Sequence, residues 1–170
     1  MKIVNKNVLN SMLLVGLTTS IGAYAAAPAT VTWYGEVPVT GNDNELVITG
    51  LNGVQEAQIG GITADSMGVF SSDALILEAH VNEGDLDTPI VGELSNANWS
   101  YHDSKVTYDG LEHASSQVSV FVNGEAFSPE SDPVQAQTVS IKISQTAQLP
   151  VADIGGSIVQ ASVTLMAEKA

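Results

Sequence analysis

The chain has 170 residues, with five lysines, no arginine, 19 acidic residues and no cysteine, and its net charge at neutral pH is −14. Such an acidic surface repels phosphate backbones and anionic lipid headgroups, so composition argues against nucleic-acid and membrane binding. Because no disulfide can form, we expect the fold to be stabilised by apolar burial and sheet hydrogen bonds alone.

The start of the chain has the layout of a cleaved secretory signal. Lys2 and Lys6 give it a positive beginning, an apolar run follows over 12–21, and Ala23-Tyr24-Ala25 places small residues where a signal peptidase cleaves. The apolar run is too short to span a bilayer. Cleavage after Ala25, or two residues later, would leave a chain of the size of one ordinary domain.

Beyond the signal, apolar and polar residues alternate with period two, and Gly, Asn, Asp and Pro interrupt the alternation. Strands are predicted at 29–40, 45–51, 57–59, 74–81, 97–101, 105–108, 117–122, 137–144 and 157–167. Most of 52–72 is predicted to be an irregular connection, and Asn123-Gly124 predicts a type I′ hairpin turn. Short strands at this spacing in one domain favour an immunoglobulin-like antiparallel β-sandwich.

The first predicted strand, 29–40, has one continuous apolar face. That face carries Ala29, Val31, Trp33, Val37 and Val39, with Gly35 among them. A flexible polar cluster, 41–44, follows directly. Such a terminal strand can pair within its own sandwich, or it can leave the domain and complete a neighbouring one.

The segment Thr30-Val31-Thr32-Trp33-Tyr34-Gly35-Glu36-Val37 resembles the N-terminal extension of chaperone–usher pilins, in which apolar and aromatic residues alternate before a glycine. Pilins also end in a strand that follows a glycine and carries alternating aliphatic residues. The corresponding residues here are Gly156, Val159, Ala161, Val163 and Leu165. Lys169 stands where pilins commonly have tyrosine, and the lack of cysteine is similar to the cysteine-free branch of the family.

This resemblance implies a signal at 1–25, a donor-strand extension at 26–40 and an incomplete sandwich at 41–170 that donor-strand exchange completes. The implied donor residues are Val31, Trp33, Gly35, Val37 and Val39. The implied acceptor groove lies along the last strand, at Gly156, Val159, Ala161, Val163 and Leu165. The implied partners are identical subunits, a periplasmic chaperone, an outer-membrane usher and a tip adhesin, and the implied location is a fimbria on the bacterial surface.

No pattern in the sequence predicts an enzyme, a cofactor or a metal site. His80 and His113 have no metal-binding spacing, and 102–104 (His-Asp-Ser) cannot form a triad because neighbouring strand residues point to opposite faces. The alternating acidic residues of 83–87 lack the twelve-residue calcium-loop pattern. We therefore expect a structural protein without catalytic activity.

Two other functions remain open. Trp99, Tyr101 and Tyr108 are close in sequence, so they could form a sugar-stacking platform in a secreted carbohydrate-binding module, or pack across a hairpin. The chain could also be a matrix or surface-layer protein that polymerises by another route.

Overall fold

The computed structural model describes residues 45–56 and 58–170, together with the backbone of 29–35. Its strands are β1 Ala29–Gly35, β2 Leu46–Gly50, β3 Gln58–Ala64, β4 Phe70–Ser72, β5 Leu75–Asn82, β6 Val91–Leu94, β7 Ala97–Tyr108, β8 Val118–Val122, β9 Glu125–Phe127, β10 Val134–Ala136, β11 Thr138–Gln145 and β12 Val159–Lys169. A 3₁₀ turn at Leu51–Gly53 follows β2, and one helical turn, α1, at Val151–Ile154 precedes β12. The predicted all-β class is confirmed.

The larger sheet contains nine of these strands. Its order is β1-β3-β4-β11-β5-β2, with β6 beside β5 and the β8–β9 hairpin beside β11. Every pairing between the described strands is antiparallel. β11 lies at the centre, with β8 along one edge and both β4 and β5 along the other.

The smaller sheet has the order β10-β7-β12, and β7 pairs with almost the whole of β12. The two short strands predicted at 97–101 and 105–108 are therefore one continuous strand, and the tight turn expected between them was wrong. Thr164 lies opposite Asp103 and Leu165 lies opposite Tyr101, so His102 is an extra residue on β7. The ladder to β12 keeps the polar residues between the two apolar stretches extended, and the bulge accommodates the extra residue.

One hydrophobic core lies between the two sheets and makes the fold a β-sandwich. Ile62, Val139 and Ile143 enter it from the large sheet, while Trp99 and Val106 enter it from the small sheet, and all five are buried. The Trp99 ring also donates its Nε1–H to the carbonyl oxygen of Ala136 at 3.0 Å, which satisfies its one polar atom.

The stretch 52–72, expected to be largely irregular, holds the 3₁₀ turn, β3 and β4. Gly60 and Gly61 hide the alternation of β3, because neither has a side chain. The expected type I′ turn is confirmed: Asn123 and Gly124 have φ values of 53° and 88°, and they join β8 to β9.

Candidate assembly groove

β12 has one paired edge and one edge without a ladder. β7 pairs with it from Val159 to Lys169. No strand among the described residues forms a ladder with its opposite edge, although β1 of the larger sheet lies near β12. An unpaired edge presents a row of backbone N–H and C=O groups to which another strand can add.

The apolar face of β12 is open in the middle. Val159 and Ala161 at its start and Ala167 near its end are buried. Val163 and Leu165 belong to the same inward-facing set and pack against the core, yet both remain partly exposed. The groove is therefore the unpaired edge of β12 together with the partly uncovered Val163 and Leu165.

Four of the five residues predicted for the groove lie on β12, and Gly156 does not. Gly156 precedes the strand, in a turn where its φ is +82° and where the Ser157 N–H donates to Ile154 O at 3.0 Å. Glycine suits this position because side chains rarely adopt a left-handed backbone. Gly156 thus ends the connection from α1, and β12 begins three residues later at Val159.

The described part of the predicted donor segment, Ala29–Gly35, pairs within its own chain's sandwich. β1 pairs with β3 from Ala29 opposite Ala64 to Gly35 opposite Gln58, and it lies near β12. The structure thus brings the backbone of Val31, Trp33 and Gly35 close to the groove. The other two predicted donor residues, Val37 and Val39, lie outside the described residues.

The two poles of the sandwich can be identified by what lies at each end of β12. At the start pole, Val159 pairs with Tyr108, whose hydroxyl donates to Gly68 O at 3.2 Å in the turn between β3 and β4. At the far pole, Lys169 Nζ lies 3.4 Å from Glu45 Oε1, where β2 begins.

β1 runs in the same direction as β12. Ala29 pairs with Ala64, next to the β3–β4 turn, so β1 begins at the start pole. It ends at Gly35, opposite Gln58, whose side chain lies against Gly50 at the end of β2. The start of β2, next to Glu45, lies further along in the same direction, at the far pole. Within its own chain, β1 therefore lies near β12 and parallel to it.

The three aromatic residues of β7 do not form an exposed platform. Trp99 and Tyr108 are buried, and burial raises the pKa of the Tyr108 hydroxyl. Tyr101 packs edge-on against Phe127, with ring centroids 6.4 Å apart, and its hydroxyl donates to Ser104 Oγ at 2.7 Å. These rings therefore pack within the sandwich, and the expected packing across a hairpin was wrong because 97–108 is one strand.

The acidic loop 83–90 stabilises its own turn. The Asp85 carboxylate accepts hydrogen bonds from the Thr88 hydroxyl at 2.8 Å and from the N–H groups of Thr88 and Asp87, and these bonds lower its pKa. No group of three metal-ligating side chains occurs in the part of the chain that the structure describes. None of the helices described there has the length and apolarity to cross a membrane.

Sequence reasoning missed a buried polar cluster on the outer face of β5. The Glu78 carboxylate accepts from the Gly53 N–H at 3.1 Å and lies 3.3 Å from His80 Nε2, while His80 Nδ1 donates to Gly92 O at 2.9 Å. Burial alone would raise the pKa of Glu78, but the hydrogen bonds from Gly53, His80 and Asn52 outweigh it and lower the pKa. Two ionisable residues spaced by two in an apolar strand were the available signal.

Comparisons with protein-family models, with curated proteins and with solved structures find no match to this chain. The function has to be inferred from its own sequence and geometry.

Proposed function

We propose that this chain is the shaft subunit of a bacterial surface pilus and that it polymerises by donor-strand exchange. The observation that carries the proposal is the groove: β12, eleven residues long, has one edge that no described strand pairs with, and Val163 and Leu165 are partly uncovered in its apolar row. A strand with alternating apolar residues fits such an edge, and the chain carries one in residues 29–39.

The energetics favour a long-lived junction. Covering each large apolar side chain contributes on the order of 1.5–3 kcal/mol. Each main-chain hydrogen bond along the added strand contributes a further ~1 kcal/mol net. Val31, Trp33, Val37 and Val39 would enter the groove of the next subunit, and Gly35 would lie where the groove is shallow. Such a junction needs no covalent bond, in keeping with a chain that has no cysteine.

In this proposal the domain is an incomplete immunoglobulin-like sandwich. A signal at 1–25 would direct the chain to the periplasm, where a chaperone covers the groove until an usher at the outer membrane adds the subunit to the fibre. The chain would then serve adhesion as part of a fimbria that ends in a tip adhesin. It would act without catalysis and without a cofactor.

The β1–β3 ladder favours a second candidate, a self-contained sandwich in which β1 is a permanent edge strand. Such a protein could be a matrix or surface-layer component that polymerises through other surfaces. The carbohydrate-binding candidate has less support, because two of its three platform rings, Trp99 and Tyr108, are buried.

Refolding residues 41–170 with and without a synthetic peptide covering 29–39 separates these candidates. Donor-strand exchange predicts that the peptide raises the melting temperature by several degrees and that a peptide with Gly35→Leu does not. A permanent edge strand has a different signature. If β1 only extends the sheet beside β3, the Gly35→Leu peptide raises the melting temperature as much as the natural peptide does.

A further inference from the structure

The start pole of the sandwich exposes two large apolar side chains beside the end of the groove. Leu111 is 74% exposed and Ile158 is 63% exposed. Asp109 lies between them: its N–H donates to Ile158 O and its Oδ1 accepts from the Ile158 N–H, both at 2.8 Å. Hydrogen bonds hold the backbone there in place, so both side chains stay at this pole.

The far pole has a matching feature. Loop 83–90 follows β5 immediately beyond Asn82, whose N–H donates to Glu45 O at 2.9 Å. Leu86 and Ile90 on this loop are 49% and 54% exposed. Hydrogen bonds from the Gly84 and Ile90 N–H groups to the Asn82 side chain hold the base of the loop.

The length of the connector decides how close two subunits must come. If residues 29–39 fill a neighbour's groove, only residues 40–44 join that strand to Glu45 of the donor's own sandwich, and they span at most about 20 Å. A strand as long as β12 extends about 36 Å. The donor's sandwich must therefore lie directly against one pole of the acceptor.

Strand direction selects the pole. Every described pairing is antiparallel, and antiparallel pairing is slightly more stable per residue than parallel pairing. A donor strand antiparallel to β12 leaves the groove next to Val159, at the start pole. The donor's own chain begins β2 at its far pole, so its far pole meets the acceptor's start pole.

We infer that Leu111 and Ile158 at the start pole of one copy dock against Leu86 and Ile90 at the far pole of the next copy. This inference rests on the donor-strand exchange proposed above. The contact is heterologous, since it joins two different patches, and repeated from copy to copy without closing on itself it extends into a filament. It would cover apolar surface at both poles and fix the angle between successive subunits.

Cysteine cross-linking tests this contact with no background, because the natural chain has no cysteine. Chains with Leu111→Cys and chains with Leu86→Cys would be polymerised in a mixture and treated with a short bifunctional maleimide. The expected product is a 111–86 dimer that neither variant gives alone. Leu51→Cys is the matched control, since Leu51 is also exposed but lies on the 3₁₀ turn, outside the two apolar patches.

The outcomes separate this inference from the proposed function. Polymers without the 111–86 product, or with a 111–111 or 111–51 product of equal yield, would overturn the pole-to-pole contact. Excess peptide 29–39 serves as a second arm: it should block polymerisation, and polymers that ignore it would refute donor-strand exchange even where cross-links form. A chain that stays monomeric at every concentration contradicts both.

Discussion

β11 and β12 have the same apolar alternation in sequence but different surroundings in the sandwich. On β11, Val139, Ile141 and Ile143 are all buried, because β8 covers one edge and β4 and β5 cover the other. On β12, Val163 and Leu165 are partly exposed, because the ladder to β7 covers one edge only. Period-two alternation therefore tells which face of a strand points inward, and neighbouring strands decide whether that face is covered.

The largest expected effect is on the free energy of unfolding, and it compares a buried position on β11 with a partly exposed one on β12. Ile143→Ala should lower the free energy of unfolding by about 3 kcal/mol, because it removes fully buried methyl groups and leaves a cavity. Val163→Ala should cost less than half as much, because solvent already reaches that side chain. Urea unfolding of both variants measures the difference, and equal losses would mean that β12 is as enclosed as β11.

The next largest effect on stability is expected at the Glu78–His80 cluster on β5. Glu78→Gln should lower the free energy of unfolding by about 2 kcal/mol at neutral pH, because the buried carboxylate loses its charge-assisted bonds to Gly53 and His80. The pKa of Glu78 is lowered in the folded protein, so its contribution is complete above the ordinary carboxyl value of 4.5 and is lost as the pH falls through the folded value.

Unfolding curves of the wild type and of Glu78→Gln between pH 3 and pH 7 check this dependence. The gap between the two should close towards the acid end. A gap that stays constant across this range would show that the Glu78 charge does not contribute to stability.

A smaller effect concerns the groove itself. Leu165→Ala should weaken binding of peptide 29–39 to the refolded 41–170 domain by about tenfold, or ~1.4 kcal/mol, because a donor strand would complete the burial of Leu165. Thr164→Ala, on the opposite face of β12, should leave the affinity unchanged. Calorimetric titration measures the affinity of both variants for the peptide, and equal affinities would mean that the peptide binds outside the groove.

The smallest effect lies in the hairpin beside β11. Gly124→Ala should cost about 1 kcal/mol, because the residue has a φ of 88° and alanine adopts the left-handed region only with strain. Asn123→Gly should be nearly neutral, because glycine readily adopts the φ of 53° found there. Thermal unfolding of the two variants checks the turn type, and a neutral Gly124→Ala would contradict it.

Residues with clear local signals were predicted well. The alternation of 137–144 placed β11 to within one residue at each end, and Asn123-Gly124 identified the turn that joins β8 to β9. β7 was split in two because His102, Asp103 and Ser104 break its apolar pattern, and only the ladder to β12 keeps them extended. The three-residue strands β4, β9 and β10 are too short to show any period of their own.

The candidate groove was predictable in part. The sequence indicated the inward face of β12, including Val163 and Leu165, because side-chain direction follows the period of a strand. It could not indicate that β1 pairs with β3 of the same chain, since pairing partners depend on contacts between distant segments. The Glu78–His80 cluster was missed for a similar reason: the 3₁₀ turn and β6 that cover it come from elsewhere in the sequence.

Donor-strand exchange, as proposed, requires β1 to leave its own sandwich and fill the groove of another copy. The most direct test locks β1 in place with Thr30→Cys and Thr63→Cys, two residues that face each other in the β1–β3 ladder of a chain without natural cysteine. Sedimentation would compare the oxidised and reduced protein, with the single Thr63→Cys variant as control. We predict monomers when the disulfide is closed and polymers after its reduction, whereas polymers that form equally well with the disulfide closed would contradict strand exchange.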